Sequence, residues 1–356
     1  MLNRAAPSRR PAVRGVRYTW CGLQIRFGMS DMTSGPADTN RPRLTIILPC
    51  YNHEKLLPGA LEAIAAQSSL PDEVIVIDDG SRPAAASTIA TESGRYSFLR
   101  LIRHETNRGV AAACATGLAA ASGDFVLFAA ADDRLAPGMV ERARAALGMH
   151  PQSGILFSDN AMMHASGGER TLFPLGLDRV RPFSGQEFQN FLKRSFFYIA
   201  TGSVWFRTEA LRAIGGFDER LRWHCDFFAA YAIGMWRGAT YVPDAASYFR
   251  VSAGSYSAAR RNGAEQRQVL RAWLAKTAEP CHWPQRRAFR DCGLLPVYGW
   301  SAIAALGSDL GFLTPTLVSR LVTRGLYDLI RPALPLGWRR RLRRLASRKG
   351  DALSSI

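Results

Sequence analysis

The hydrophobic residues from Leu44 onward form two alternating patterns. Continuous apolar runs predict strands buried on both faces, and apolar residues spaced three or four apart predict helices. The runs that predict strands are LTIILP at 44–49, EVIVIDDGS at 73–81, FLRLIRH at 98–104, FVLFAA at 125–130 and GILFSD at 154–159. Helical spacing is found at 54–67, 110–122 and 139–148. This alternation predicts an α/β fold with a mostly parallel central sheet flanked by helices.

Polar residues follow each of the first four predicted strands. The four stretches are CYNHE at 50–54, DDGS at 78–81, ETNRG at 105–109 and ADDR at 131–134. The carboxyl ends of parallel strands meet at one edge of a sheet, where open α/β folds bind their ligands. A solvated loop would also be polar, but four such loops at one edge favour a binding site there.

Two of these stretches carry adjacent carboxylates, Asp78 with Asp79 and Asp132 with Asp133. Neighbouring carboxylates oppose each other's ionisation unless a cation lies close by. Mg²⁺ takes one or two protein carboxylates and fills its other positions with water and phosphate oxygens. The pair at 132–133 therefore predicts either a metal and diphosphate site or an ordinary acidic turn. A carboxylate at the end of the second strand is able to accept hydrogen bonds from a base or a ribose.

The positive charge of the chain is concentrated at its two ends. The formal net charge is +17; residues 1–43 carry +6, residues 331–349 carry +8, residues 44–330 carry +4 and Asp351 carries −1. A body this close to balance, without interleaved aromatic and basic residues, argues against nucleic acid as a partner. Six cysteines without a CxxC pair or zinc spacing indicate free thiols in a reducing cytosol.

The chain divides into three predicted parts. Residues 1–43 form a basic, disordered extension, residues 44–260 form the α/β domain, and residues 261–356 form a helical extension. The apolar stretch at 294–318 is interrupted by an acid and two prolines, so it predicts packed or in-plane helices before a membrane span.

The tail GWRRRLRRLASRK at 337–349 combines a Trp and leucines with dense positive charge. On a helix this composition suits an anionic membrane surface, and it equally suits a solvated basic tail. Both interpretations stay open. The first places the protein at the cytoplasmic face of a membrane.

The motifs along residues 44–255 resemble family 2 glycosyltransferases of the GT-A fold. The stretches that carry the resemblance are PCYNHEKLLPGALEAIAAQ, VIVIDDGS, ETNRGVAAACATG and ASGDFVLFAAADD, in this order and spacing. Their order is more specific than any one of them. The resemblance implies a nucleotide-binding α/β sandwich that takes a nucleotide-diphospho-sugar donor. It also implies a single inverting displacement by an acceptor hydroxyl, assisted by Mg²⁺ or Mn²⁺.

The resemblance further implies a role for individual residues in donor binding. The residues that it assigns to the nucleotide pocket are Pro49, Tyr51, Asp79, Asn107, Arg108, Gly109 and Asp132. Tyr51 would pack near the base, Asp79 would recognise the base, and Asp132 would lie near the ribose or the donor sugar. A packed aromatic residue is the alternative for Tyr51.

For the chemistry, the resemblance assigns metal binding to Asp133 and the catalytic base to Asp226, within GGFDERLRWHCDFF at 215–228. An acid that merely opens a helix is the alternative for Asp226, and Asp218 and Glu219 are the next candidates for the base. A saccharide or a lipid-linked acceptor, used in cell-envelope polysaccharide or glycolipid synthesis, is the expected second substrate.

The sequence departs from the family pattern at several positions. The departures are Ala130 in place of a further Asp, Cys225 in place of Glu, Cys114 and Ala115 in place of Arg and Asn, and Ser252 in place of His. They leave the central carboxylate pair and the predicted base intact, which favours an active enzyme. The second hypothesis is a non-catalytic GT-A domain that binds a sugar nucleotide as a sensor or scaffold.

Overall fold

The computed structural model describes residues 41–163, 170–173, 175–195, 197, 199, 201–250, 263–295, 300–307 and 310–330. The basic stretches at the two ends of the chain, residues 1–40 and 331–356, lie outside the described residues, as does Ser252. What was expected of them stays a prediction.

Within the described residues, ten strands form one sheet. Strands β1 to β10 span Leu44–Cys50, Glu73–Asp78, Leu99–Arg103, Phe125–Phe128, Arg134–Leu135, Ile155–Met163, Arg170–Phe173, Arg181–Phe183, Val204–Arg207 and Ala239–Arg250. All five strands predicted from apolar runs are present, as β1, β2, β3, β4 and β6. Strand β6 continues beyond its predicted end because its later residues alternate between buried and half-buried positions.

Eleven α-helices are found in the same part of the chain. Helices α1 to α11 span Leu57–Ala65, Pro83–Ser93, Val110–Ala120, Met139–Met149, Gly185–Arg194, Thr208–Ala213, Cys225–Arg237, Gly263–Ala278, Trp283–Asp291, Trp300–Leu306 and Pro315–Ile330. Helices α1, α3 and α4 are those predicted from spacing. Helix α2 was not predicted, because its buried side chains are mostly alanines and Ile89 alone supplies a large apolar group.

The sheet has the order β3-β2-β1-β4-β9-β6-β10-β5, with β7 added beside β6 and β8 beside β10. Strands β3, β2, β1 and β4 run parallel, so their carboxyl ends share one edge as predicted. The remaining strands are mixed: β9 pairs antiparallel with both β4 and β6, whereas β6 and β10 are parallel. The α/β class is confirmed, and the unbroken series of parallel strands is confined to the first half of the sheet.

The sheet separates two hydrophobic cores. Successive side chains of a strand point to opposite faces, so Ile47 of β1 joins one core and its neighbours Ile46 and Leu48 join the other. The core around Ile47 includes α3 and α7, and the core around Leu48 includes α1 and α4. Both faces of β1 are therefore covered, which explains its unbroken apolar run.

The helices after residue 262 pack on the same core as the α/β part. Phe228 of α7 stacks on Phe289 of α9 with ring centroids 5.3 Å apart, and Trp273 of α8 contacts Phe289 edge-on at 4.8 Å. The helical extension thus covers one face of α7. No helix in the described ranges combines the length and the apolar character that a membrane crossing requires.

Candidate active site

The loops that follow β1 and β2 are joined by side-chain hydrogen bonds at the predicted edge. Asn52 has a φ of +53°, and its main-chain N–H donates to Ser81 Oγ at 2.9 Å. The side-chain oxygen of Asn52 in turn accepts from the N–H of Arg82 at 3.0 Å. Tyr51, the residue before Asn52, has 45% of its surface exposed.

Pro49 lies within β1, beside Ile77 of β2, and is half-buried. It shapes the end of the strand on which Tyr51 is presented. Pro49 and Tyr51 therefore both lie at the carboxyl end of β1. Their roles in a nucleotide pocket stay predictions.

The carboxylate of Asp79 is buried and is held by three protein donors. Its Oδ1 lies 2.6 Å from Nδ1 of His104 and accepts the N–H of Arg108 at 3.0 Å. Its Oδ2 accepts the N–H of Gly109 at 2.8 Å. Asp79 therefore fixes the loop that contains Asn107, Arg108 and Gly109, and one lone pair of Oδ2 is left for a further donor.

His104 and Thr116 support Asp79 from behind, and neither was predicted. Nε2 of His104 lies 2.9 Å from Thr116 Oγ1 on α3, and the imidazole is buried. With Nδ1 donating to Asp79, the same ring accepts the threonine hydroxyl at Nε2. The signal in the sequence was the position of His104, a polar residue at the end of an apolar strand. Thr116 gave no signal.

Glycine is required at one position of this loop junction. Gly80 has a φ of +70°, and a Cβ there would lie 2.3 Å from the carbonyl carbon of Thr106. The main chains after β2 and β3 can approach this closely only because Gly80 lacks a side chain. The close approach brings the amides of Arg108 and Gly109 within reach of Asp79.

Asp132 and Asp133 lie at the end of β4, next to the last residue of β10. The N–H of Arg250 donates to Asp133 Oδ1 at 2.9 Å, and Arg250 Nε donates to the carbonyl oxygen of Asp132 at 3.1 Å. Burial, and then the charge of Asp132, raises the pKa of Asp133 to about 7. The ionised form of Asp133 is thus short of compensating positive charge, despite its contact with Arg250.

A divalent cation would supply the positive charge that the ionised Asp133 lacks. Among the described residues, no group of three or more His, Cys, Asp or Glu side chains is placed to hold a metal ion. The described protein groups would supply Asp133 and at most the neighbouring Asp132, and Mg²⁺ or Mn²⁺ would take its other ligands from water and a diphosphate. A cation there would also remove the electrostatic cause of the raised pKa of Asp133.

Asp226 lies in the first turn of α7 and is 8% exposed. Its Oδ1 accepts the N–H of Phe227 at 2.7 Å, and its Oδ2 accepts the hydroxyl of Thr201 in a very short hydrogen bond. Burial raises the pKa of Asp226, and the hydrogen bond from Thr201 opposes that rise. A raised pKa makes the ionised carboxylate a stronger base, which suits it to accept a proton.

The short 3₁₀ turn Thr201–Ser203 connects Asp226 to Asp133. Thr201 bonds Asp226, and the next residue, Gly202, lines a small cavity together with Asp133 and Ser247. Thr201 was not predicted, because no motif marks the turn that contains it. The turn thus contacts the carboxylate assigned to proton transfer and lines the cavity that the carboxylate assigned to metal binding also lines.

Cys114 of α3 lies near both Asp226 and Asp79. Burial raises the pKa of the Cys114 thiol to about 12, and the nearby charges of Asp226 and Asp79 add to the rise. Cys114 on α3 is therefore close to both carboxylates. The fold thus places Asp79 and Asp226, which are far apart in sequence, near the same cysteine.

The other acids of the GGFDE stretch are placed differently. Asp218 accepts two hydrogen bonds from the guanidinium of Arg220 and lies 3.4 Å from Lys276 Nζ on α8. Although burial opposes it, these partners lower the pKa of Asp218. Glu219 is exposed. Asp218 is thus a neutralised carboxylate that ties the segment before α7 to the helical extension, which leaves Asp226 as the better candidate for a base.

Comparisons with known proteins match this chain to glycosyltransferases. A sequence profile described as "Glycosyl transferase family 2" matches residues 45–215. The O-antigen biosynthesis protein RfbC of Myxococcus xanthus is 26% identical over 220 residues, which cover 61% of this chain and 16% of RfbC. Glycosyltransferase GlyA of Streptococcus pneumoniae is 34% identical over 99 residues, which cover 28% of this chain and 14% of GlyA.

An uncharacterised glycosyltransferase of Haemophilus influenzae is 33% identical over 115 residues, or 32% of this chain and 37% of that protein. The chain therefore spans well under half the length of each of these relatives. Among solved structures, residues 1–349 of S. aureus TarS in complex with UDP-GlcNAc superpose with a TM-score of 0.57 at 20% identity. The superposition covers 76% of this chain and 82% of the TarS chain, and it shows a shared fold.

The mixed sheet, its flanking helices and the strand-end site define a protein of the GT-A class. Residues 45–215, just under half of the chain, match glycosyl transferase family 2. That segment contains all the predicted donor-site residues and Asp133. Asp226 and Arg250 lie beyond it, so the family match does not extend to them.

Proposed function

We propose that this protein transfers a sugar from a nucleotide-diphospho-sugar to an acceptor hydroxyl, with inversion at the anomeric carbon. The observation that carries the proposal is the placement of Asp226, a buried carboxylate with a raised pKa. It is linked through Thr201 and Gly202 to the cavity that Asp133 lines. These contacts support a proton acceptor close to the loops that we propose bind the donor.

The residues divide the chemistry between them. The acceptor hydroxyl loses its proton to the Asp226 carboxylate while its oxygen bonds to the anomeric carbon. The bond from that carbon to the diphosphate oxygen breaks, and the electron pair leaves with the diphosphate. Asp133 would hold Mg²⁺ or Mn²⁺, whose positive charge would neutralise the negative charge that develops on the departing group. Thr201 orients Asp226 and stabilises its ionised form.

The variant Asp226→Asn tests this assignment. Asn keeps the shape and can still accept the N–H of Phe227, but it cannot take up the acceptor proton. We expect donor affinity to be retained by calorimetry and the transfer rate to fall by about 10²- to 10⁴-fold. Asp218→Asn is the matched control and should change the transfer rate by much less. Transfer by Asp226→Asn at close to the normal rate would place the base elsewhere.

The contacts of Asp79 also favour a donor base of a particular kind. Three of the roughly four lone pairs of its carboxylate are already used by His104, Arg108 and Gly109. One remaining acceptor matches a base with a single imide N–H, as in uracil and thymine. Guanine presents two adjacent N–H donors and would leave one of them without a partner.

Calorimetry with UDP, dTDP and GDP in the presence of Mn²⁺ tests the choice of base. A buried donor left without an acceptor costs about 1–3 kcal/mol, so GDP should bind about tenfold or more weakly than UDP. Equal or tighter binding of GDP would contradict the lone-pair argument while leaving the transferase proposal intact.

We further propose a saccharide or lipid-linked acceptor in cell-envelope polysaccharide synthesis. The support is the similarity to RfbC, whose name places it in O-antigen biosynthesis. If the protein releases nucleoside diphosphate from a sugar nucleotide only when an acceptor is added, the sensor or scaffold hypothesis is excluded. Tight donor binding without any transfer or hydrolysis, across a panel of donors and acceptors, would favour it.

A further inference from the structure

Helix α11 carries a continuous stripe of exposed apolar side chains. Val318, Val322, Leu326 and Leu329 are 43%, 52%, 57% and 75% exposed. Their spacing of four, four and three residues places them on one side of the helix. The neighbouring Leu317 and Leu321 are buried in the core. Helix α11 therefore has an inner apolar side that packs on the protein and a second apolar side that faces outward.

The stripe is unusual for this molecule. Other large exposed hydrophobic residues of the described chain, such as Leu70 and Met149, lie on separate elements. Single exposed apolar residues are normal on soluble proteins, whereas contiguous apolar patches mark interaction sites. We define the α11 stripe as Val318, Val322, Leu326 and Leu329.

The charge of the chain that follows α11 identifies the kind of partner. The helix ends at Ile330, and residues 331–349 contain seven Arg and one Lys without any acid. A second copy of the chain would bring the same +8 charge against this segment and be repelled. Nucleic acid would neutralise the charge but would not cover an apolar stripe. An anionic lipid surface offers both an apolar layer and negative headgroups.

We propose that the α11 stripe and the basic segment at 331–349 together dock the protein on an anionic membrane surface. Leu317 and Leu321 hold the inner side of α11 against the protein core, so only the side with the stripe can face a lipid surface. The helix therefore lies in the plane of the interface with the stripe directed into the lipid. This surface is separate from the transferase site, so the proposal does not depend on the proposed activity.

Sedimentation of the full chain with vesicles tests the docking surface. The vesicles are phosphatidylcholine alone or mixed with phosphatidylglycerol. Val322→Ser combined with Leu326→Ser removes the centre of the stripe, and Leu70→Ser combined with Met149→Ser removes the same kind of exposed group elsewhere. We expect the stripe variant to lose about tenfold or more in partitioning onto the mixed vesicles, and the control to match the unmodified protein.

The contribution of positive charge to membrane binding is tested with a variant that combines Arg339→Gln, Arg340→Gln and Arg341→Gln. Each basic residue near an anionic surface contributes about a fivefold factor, so binding should fall by about 100-fold and depend less on salt. Equal vesicle binding by the stripe variant and its control would overturn the proposal. A dimer in light scattering that the stripe variant abolishes, with no vesicle binding by the unmodified protein, would also overturn it and assign the stripe to a second copy.

Discussion

Replacing Asp133 by Asn should stabilise the protein when no divalent cation is present. The carboxylate is largely buried beside Asp132, and these two causes raise its pKa from 3.8 to about 7. Asn keeps an oxygen that can accept the N–H of Arg250, so the substitution removes the charge and preserves the main contact. The change therefore isolates the electrostatic cost of the candidate metal ligand.

The size of the effect follows from the shift in pKa. A rise of about three units, at about 1.4 kcal/mol per unit, sets an upper limit of about 4 kcal/mol. The carboxylate is still partly accessible to water, which screens it, so we expect about 1–2 kcal/mol above neutral pH. Between about pH 4 and about pH 7 the folded protein keeps a proton that the unfolded chain has lost. The free energy of unfolding therefore falls as pH rises through this window, and stays low above it.

Urea denaturation at about pH 5 and about pH 8 with a chelator present measures the prediction. The gain in free energy of unfolding from Asp133→Asn should be larger at the higher pH. Asp178→Asn, which removes an exposed carboxylate, controls for net charge and should show little change at either pH. With Mn²⁺ and UDP added, the unmodified protein should become the more stable of the two, because ligands that bind the folded state stabilise it.

Three results would each refute part of the reasoning. If Asp133→Asn is no more stable than the unmodified protein at about pH 8 without metal, the carboxylate is not short of positive charge. If the gain is the same at both pH values, its cause is packing and not ionisation. If Mn²⁺ and UDP stabilise both proteins equally, Asp133 has no part in metal binding.

Two further predictions concern the geometry of the site. Gly80→Ala should lower the free energy of unfolding by about 2 kcal/mol or more. The new Cβ would be strained by the φ of +70° at this position and would lie 2.3 Å from the carbonyl carbon of Thr106. Gly109→Ala, with a φ of +90° but open space, should cost about half as much; equal urea midpoints for the two would contradict this. Thr201→Val removes the hydroxyl that stabilises the ionised Asp226, so the acid limb of the kcat/KM profile should move to higher pH. An unmoved limb would mean that another group titrates.

The sequence predicted the first half of the fold because its signals there are local. Strands β1, β2 and β4 are apolar runs that are buried on both faces, and each run stops where the polar loop begins. Strand β3 lies at the edge of the sheet and is only half-buried, with Arg100 and Arg103 exposed. Helices α1, α3 and α4 each bury one side against the sheet, so their apolar residues recur every three or four positions. The second half of the sheet was not predicted, because the two-residue strand β5 and the crossing of β9 between β4 and β6 depend on pairing between distant segments.

Part of the candidate site could also be predicted from the sequence. Asp79, Asp133 and the loop at 107–109 follow strands whose parallel order places them at one edge. Asp226 was assigned by resemblance alone, and the structure supplies its physical setting. Thr201 and Thr116 could not be predicted, since a threonine hydroxyl gains its role only from the group that folding brings within hydrogen-bond distance.

The sequence by itself determined the α/β class, the shared edge of the first four strands and the location of charge at the two ends of the chain. These features follow from apolar periodicity and residue type, which act over a few neighbouring positions. The tertiary structure decided which carboxylates are neutralised. Asp218 lies between Arg220 and Lys276, Asp79 is held by a histidine and two amides, and Asp133 has a raised pKa beside Asp132. The ionisation of an acid depends on burial and on charges that approach from distant parts of the chain, and only the folded arrangement brings them together.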